Sequence, residues 1–303
     1  MDLCTNSGGN TGIGACDLSS SKLTPIGIIF VPKNAQIPLE TADILSFLDV
    51  KFKEDSRQAR WYPMLGIQAI ADSSEEAQMA TLALGYSEKI RNGNAIYQFD
   101  IPFSLCKAKT VIPFDGWNGG IYFILSSGLI MGRKDRKGQN LFPIIPLQTN
   151  ITNAQLLSLG TTDARVVSIQ INLNDKLRLV DIVDFLTIED FDTTDINGII
   201  DVDLLPGAVA TGYVDIKVQT KCDAVNLFDT YQVELAAKAL WVLINKSTGA
   251  VATIATVEAQ AGTKAFRVSA DAGTYLLSLV SVSALETAHI AGYESNQITV
   301  EIQ

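Results

Sequence analysis

Apolar and polar positions along this chain fall into short alternating runs rather than long helical stripes. Residues 86–99 alternate with a period near two, with Arg91-Asn92-Gly93-Asn94 supplying turn residues inside the run. Pro102 blocks further regular strand. Ser104 stands where an N-cap would, ahead of Leu105-Cys106-Lys107-Ala108-Lys109, a short helix that Pro113 stops after roughly two turns. Residues 121–125 and 129–131 make two apolar strands around the tight-turn residues Ser126-Ser127-Gly128. The stretch from Gly85 to Gly132 therefore organises the first half of the chain, and nothing in it has a catalytic pattern.

The same pattern extends on both sides. Residues 26–31 read as a first strand ended by Pro32, and 40–52 as a helix with Ile44, Leu45, Phe47 and Leu48 on one side and Thr41 as its cap. A charged stretch follows, then extended chain from Trp61 and a short strand at 67–71. Residues 164–172 alternate as a strand, 177–188 fit either type, and 199–204 form a strand after a turn at Asn197-Gly198. Pro206-Gly207 is a breaker pair that reads as a domain junction.

Beyond it, regularly spaced short strands at 213–220, 240–244, 251–257, 265–269, 276–282 and 297–302 fit a small immunoglobulin-like sandwich. Asp271-x-Gly273-x-Tyr275 has the form of that fold's tyrosine corner, and Trp241 is placed to fill its core. Cys222 has no partner there, so the likeness is to disulfide-free members. The expected organisation is an arm over 1–25, a β domain over 26–207 and an immunoglobulin-like domain over 208–303. The arm, rich in Ser, Gly, Thr and Asn, is expected to order against a neighbouring subunit.

Length and composition add limits. A chain of 303 residues can bury two cores, and 47% hydrophobic with 18% charged residues is that of a folded protein. The net charge of −10 argues against a primary grip on nucleic acid, which needs clustered Lys and Arg. Arg133-Lys134-Asp135-Arg136-Lys137 is the one dense basic cluster, placed at a hairpin tip. It reads as a solvated turn or as a contact with an acidic surface on an adjacent subunit. Glu189, Asp190, Asp192, Asp195, Asp201 and Asp203 form an acidic stretch. Asp190-x-Asp192 begins like a calcium loop, but Thr194 and Asp195 break the pattern, so an exposed acidic face is expected.

Candidate chemistry is sparse. Four cysteines (4, 16, 106 and 222) have no metal spacing, and His289 is the single histidine. Free thiols are the default expectation, with Cys4 and Cys16 close enough in sequence to bridge and Cys106 a small core residue. A triad or a Cys nucleophile would depend on His289, which no motif accompanies. The reading is non-enzymatic, without cofactor or metal. No secretion signal is visible, and no apolar run approaches the ~20 residues a bilayer needs.

Gly85-Tyr86-x-Glu88-x-x-Arg91-x-Gly93, Tyr97-x-Phe99, Cys106-x-Ala108-Lys109 and Ile121-Tyr122-Phe123-Ile124 with its glycine hairpin together resemble structural proteins of tailed phages of Bacteroidota, including crAss-like phages. The likeness covers about residues 27–203 and extends to the Cys- and Gly-rich start and the strand IIFVP. It implies a tail-tube, ring or hub subunit of the virion tail, assembled in the host cytoplasm. The implied fold is mainly β, a tail-tube-like β-sandwich or barrel with a short flanking helix, plus the C-terminal immunoglobulin-like sandwich. The implied partners are a six- or twelve-fold homo-oligomeric ring, neighbouring tail or portal proteins, and DNA only as passing cargo, with no membrane. Arg133, Lys134, Arg136 and Lys137 become subunit-contact candidates, and Glu189, Asp190, Asp192 and Asp195 candidates for an acidic lumen. A decoration protein, or an adhesin whose immunoglobulin-like domain grips a receptor or glycan, is the alternative.

Overall fold

The computed structural model describes residues 24–81, 86–102, 105–135, 137–152, 166–175, 182–188, 192 and 196–303. The chain is mainly β and divides into two compact units. The first comprises the chain up to Phe52 and Gln58–Ile196; the second comprises Lys53–Arg57 and Asn197–Gln303.

The first unit runs through β1 (Pro25–Val31), β2 (Ile37–Pro38), α1 (Ile44–Phe52), β3 (Tyr62–Leu65), β4 (Ala69–Asp72), β5 (Gln78–Thr81) and β6 (Ser87–Arg91). It continues with β7 (Asn94–Pro102), α2 (Leu105–Val111), β8 (Gly120–Leu125), β9 (Leu129–Arg133), β10 (Asn140–Leu141), β11 (Gln148–Thr152), β12 (Val166–Asp175) and β13 (Val183–Thr187). Its central sheet is antiparallel in the order β13-β9-β8-β1-β3. Every residue of β8, GIYFIL, is buried. An antiparallel strand reads as an unbroken apolar run only if both faces of its sheet are covered, and here they are.

On one face Ile28, Phe30, Ile121 and Phe123 meet Phe99, Ile101, Val167, Ile169 and Ile171 from a second antiparallel sheet, β11-β12-β7-β4. On the other, Ile29, Val31, Tyr122, Ile124 and Ile130 pack with Ile44, Leu48 and Phe52 of α1 and with Trp61. The unit is thus a layer of helix on sheet on sheet. Each large side chain so buried contributes about 1.5–3 kcal/mol.

Several local expectations change. The helix at 40–52 begins at Ile44, and Asp43 rather than Thr41 caps it: the Ser46 amide donates to its Oδ1 at 3.0 Å and the Ser46 hydroxyl to its Oδ2 at 2.6 Å. Those bonds hold the Asp43 carboxyl below the usual carboxylate range. Ser104 lies outside the described residues. The α-helix α2 ends at Val111 after about two turns, as expected ahead of Pro113, and the chain passes into a 3-10 turn, Ile112–Phe114, whose first positions tolerate a missing amide. Residues 86–99 are not one strand with an internal turn, because β6 pairs with β5 while β7 pairs with β12 and β4. Ser126-Ser127-Gly128 makes the expected β8–β9 turn, with Gly128 at φ 76°.

The second unit comprises β14 (Ile200–Ala210), β15 (Tyr213–Thr220), α3 (Phe228–Tyr231), β16 (Trp241–Asn245), β17 (Thr256–Gln260), β18 (Ala265–Ser269), β19 (Gly273–Leu279), α4 (Val282–Thr287), β20 (Tyr293–Ser295) and β21 (Ile298–Ile302). Two sheets, β17-β18-β15-β14-β20 and β16-β19-β21, enclose one core that includes Val214, Ile216, Trp241, Phe266, Tyr275 and Leu277. Pro206-Gly207 is not the junction between units. It lies within β14 at a register shift, where the ladder to β15 is already interrupted and a missing amide forfeits little.

Tyr275 donates its hydroxyl to the Asp271 carbonyl at 3.0 Å, and buried Trp241 donates Nε1–H to the Leu235 carbonyl at 2.8 Å. Segment Lys53–Arg57 belongs to this unit: Asp55 accepts from the Ser283 amide at 3.0 Å at the start of α4, and Lys53 pairs with Glu286 at 2.8 Å. His289 ends α4 in the left-handed region, φ 63°, and its amide donates to the Glu286 carbonyl. The lone histidine is a helix terminator in this fold.

Candidate assembly surfaces

The basic cluster sits in the β9–β10 connection, and its residues are not equivalent. Asp135 shapes the loop, accepting from the amides of Lys137, Gln139 and Asn140 at 2.9–3.0 Å, which keeps its carboxyl below the ordinary range. Lys134 and Lys137 are exposed. Arg133 is half-buried at the end of β9 with its guanidinium 5.8 Å from the Phe142 ring centroid. Arg133 is thus tied into the fold, whereas the two lysines are exposed to solvent. Arg136 lies outside the described residues.

Of the acidic candidates, Asp192 is exposed, and Glu189, Asp190 and Asp195 lie outside the described residues. Among the described residues no group of three or more His, Cys, Asp or Glu side chains is arranged to hold a metal ion. No helix among them is long and apolar enough to cross a membrane.

The cysteine expectation is corrected. Cys106 and Cys222 are each disulfide-bonded, and no described cysteine is a free thiol. Cys106 is half-buried on α2, ahead of exposed Lys107 and buried Ala108, rather than sealed in the core. Cys4 and Cys16 lie outside the described residues.

Two features went unread in the sequence. The first is the outward face of the β11-β12-β7-β4 sheet. Strand register places Asn150, Gln170 and Gln98 in one row and Thr152, Ser168 and Asp100 in the next, with Gln148 and Asn172 beside them. The side chains bond to one another: Ser168 Oγ donates to Asp100 at 2.7 Å, Gln148 to Asn150 at 2.8 Å, and Asn150 to Gln170 at 3.3 Å. Among the described residues the face carries these amides and hydroxyls with one carboxylate and no cation, beside the apolar Ile96, Ala69 and Ala71. Its signal was present as polar residues, uncharged apart from Asp100, at every second position of 98–100, 148–152 and 168–172, opposite the apolar set that faces the core.

The second is the β5–β6 hairpin, a two-stranded sheet on its own. All five residues of β6 and three of four in β5 are exposed, and Met79, Tyr86 and Ile90 present 54%, 72% and 66% of their surface.

No protein-family model matches the chain, and no curated protein matches it.

Proposed function

We propose that this protein is a virion structural subunit of a tailed phage, assembling into a six- or twelve-fold ring of the tail tube or neck through which DNA passes during ejection. The observation that carries the reading is the amide-rich outward face of β11-β12-β7-β4. A surface in contact with moving DNA must not hold it, and holding requires Lys and Arg that release counterions from phosphate. Among the described residues this face has no cation, and Ser168, Gln148 and Asn150 already donate to neighbours within it. It takes the lumenal role first assigned to Glu189, Asp190, Asp192 and Asp195. Exposed Lys134 and Lys137 supply contacts to acidic surfaces of neighbouring subunits or of adjoining tail and portal proteins.

The second unit reads as an immunoglobulin-like domain. Its sheet orders, with β14, β15, β18 and β17 in one and β16, β19 and β21 in the other, correspond to the ABED and CFG sheets of that fold. A buried Trp241 starts β16, and Tyr275 makes a corner bond near the start of β19. That unit favours a second reading, an adhesin or decoration protein.

Negative-stain microscopy of the purified protein separates the two. Closed rings or stacks of rings agree with the tail reading. A stable monomer that binds a glycan array agrees with the adhesin.

A further inference from the structure

We propose that the cleft between the β1–β2 turn and the α2–β8 connection is a saccharide-binding site, which seats a pyranose ring against Trp117. β1 and β8 are neighbours in the central sheet, with Val31 opposite Gly120. The chain leaving β1 and the chain entering β8 therefore emerge at the same end of the sheet. Between them lies an open cleft of about 400 Å³, lined by Pro32, Lys33, Pro113, Asp115, Trp117 and Asn118 together with two glycines. Small-molecule sites span roughly 300–1,000 Å³ and combine an apolar wall with a few placed polar groups. Here the wall is an indole and two prolines, and the polar groups are an ammonium, a carboxylate and an amide.

The wall is fixed before any ligand arrives. Trp117 packs on Phe114 and Phe30, with ring centroids 5.2 and 6.0 Å away, and its Nε1–H donates to the Gly120 carbonyl at 3.2 Å. That N–H is the indole's one donor, so what half-buried Trp117 offers the cleft is carbon surface. At Gly119 a Cβ would stand 2.2 Å from the Val31 carbonyl oxygen and 2.4 Å from Trp117 Nε1, so only glycine lets the chain pass beside the ring. The amides of Asp115, Gly116 and Trp117 donate to the carbonyls of Ile112, Thr149 and Phe114 at 2.9–3.1 Å. Across the cleft, the Ala35 amide donates to the Pro32 carbonyl at 3.0 Å and closes the turn that carries Lys33. Walls held in this way lower the entropy lost on binding.

The polar groups, by contrast, are uncommitted. Lys33, Asp115 and Asn118 are exposed. Asp115 Oδ1 accepts from the Ile151 amide at 2.8 Å, while its Oδ2 and the side chains of Lys33 and Asn118 have no partner among the described residues. A sugar ring matches this set. Its C–H face is apolar and lies flat on aromatic carbon, and each rim hydroxyl is both donor and acceptor, so neighbouring hydroxyls bond to a carboxylate, an amide and an ammonium at once. A bare anion would be repelled by Asp115, and a cation by Lys33. A proline-rich peptide would present backbone carbonyls to the aromatic wall, but the indole N–H that would meet them is already engaged by Gly120.

The inference is independent of ring formation, and it differs from the adhesin reading in placing the ligand on the first unit. The chain has three tryptophans, and Trp61 and Trp241 are 3% and 4% exposed, so acrylamide quenching of the folded protein reports on Trp117. The probes are methyl glucoside, methyl galactoside, methyl mannoside and N-acetylglucosamine, with decaproline as the peptide control. Expected is saturable protection from quenching by at least one sugar and none by decaproline. Asn118→Ala, which removes one hydrogen-bonding side chain, should weaken the sugar's binding about five- to tenfold with an unchanged melting temperature. The wild-type result stands even if a variant misfolds. Absence of protection by all four sugars, protection by decaproline instead, or full retention of protection in a folded Lys33→Ala, Asn118→Ala double variant overturns the proposal. So does a sugar that binds by calorimetry without protecting Trp117, an outcome that leaves the adhesin reading standing.

Discussion

Replacing Tyr122 by phenylalanine removes one hydroxyl from the most enclosed part of the first unit. Tyr122 is 0% exposed, donates to the Leu141 carbonyl at 2.9 Å, and lies 5.5 Å from Trp61 by ring centroids. At neutral pH the variant loses that bond, a cost of about 1 kcal/mol. The pH dependence is the sharper test. Burial pushes the Tyr122 hydroxyl far above its ordinary range, with the nearby Arg133 charge opposing the shift.

The folded-state pKa is therefore raised. The stability tied to a protonated, buried Tyr122 is fully present below the unfolded value of about 10 and is lost as pH rises above it. By about pH 11 the unfolded tyrosine is mostly ionised and the folded one is not, which costs the wild type about 1.4 kcal/mol. Phenylalanine does not titrate, so the variant escapes that loss. Urea denaturation followed by tryptophan fluorescence should show the variant less stable at neutral pH and level with or above the wild type by about pH 11. A difference that stays constant across the range would refute the buried, hydrogen-bonded placement of this hydroxyl.

Two further outcomes follow from the described geometry. Thr149 is 0% exposed and its hydroxyl has no hydrogen-bond partner among the described residues, so Thr149→Val should be neutral or raise stability by up to about 1 kcal/mol in the same denaturation assay. Lys134→Glu with Lys137→Glu should leave the monomer's melting temperature unchanged while impairing assembly. Arg133→Glu should lower the melting temperature by itself, because that half-buried guanidinium lies over the Phe142 ring, 5.8 Å from its centroid.

Much of the fold was legible because burial leaves a period in the sequence. The IIFVP strand, the β8–β9 hairpin and the strands around Trp241 and Tyr275 all carry apolar residues at core-facing positions, and the structure places them as strands. The residues around Pro206 misled because a breaker pair is ambiguous: it can divide domains or sit at a bulge within a strand, and only the pairing with β15 tells which.

The surfaces were harder to read. Uncharged polar residues such as Gln98, Gln170 and Asn150 carry no strong local signal, and they become a face only when three strands align them. The β5–β6 hairpin was hidden for a different reason. Arg91-Asn92-Gly93-Asn94 marks a turn inside the alternating run 86–99, but nothing local reveals that the two halves join different sheets. Arg133 and Lys134 are neighbours of like charge, and tertiary packing alone makes one structural and leaves the other free.

The most direct test of the account is a symmetric reconstruction of the particle assembled from this chain. It should show a closed ring in which the Gln98, Asn150 and Gln170 face of the first unit lines the central channel. A ring with that face on its outer surface, or an assembly with no channel, would contradict the proposed function.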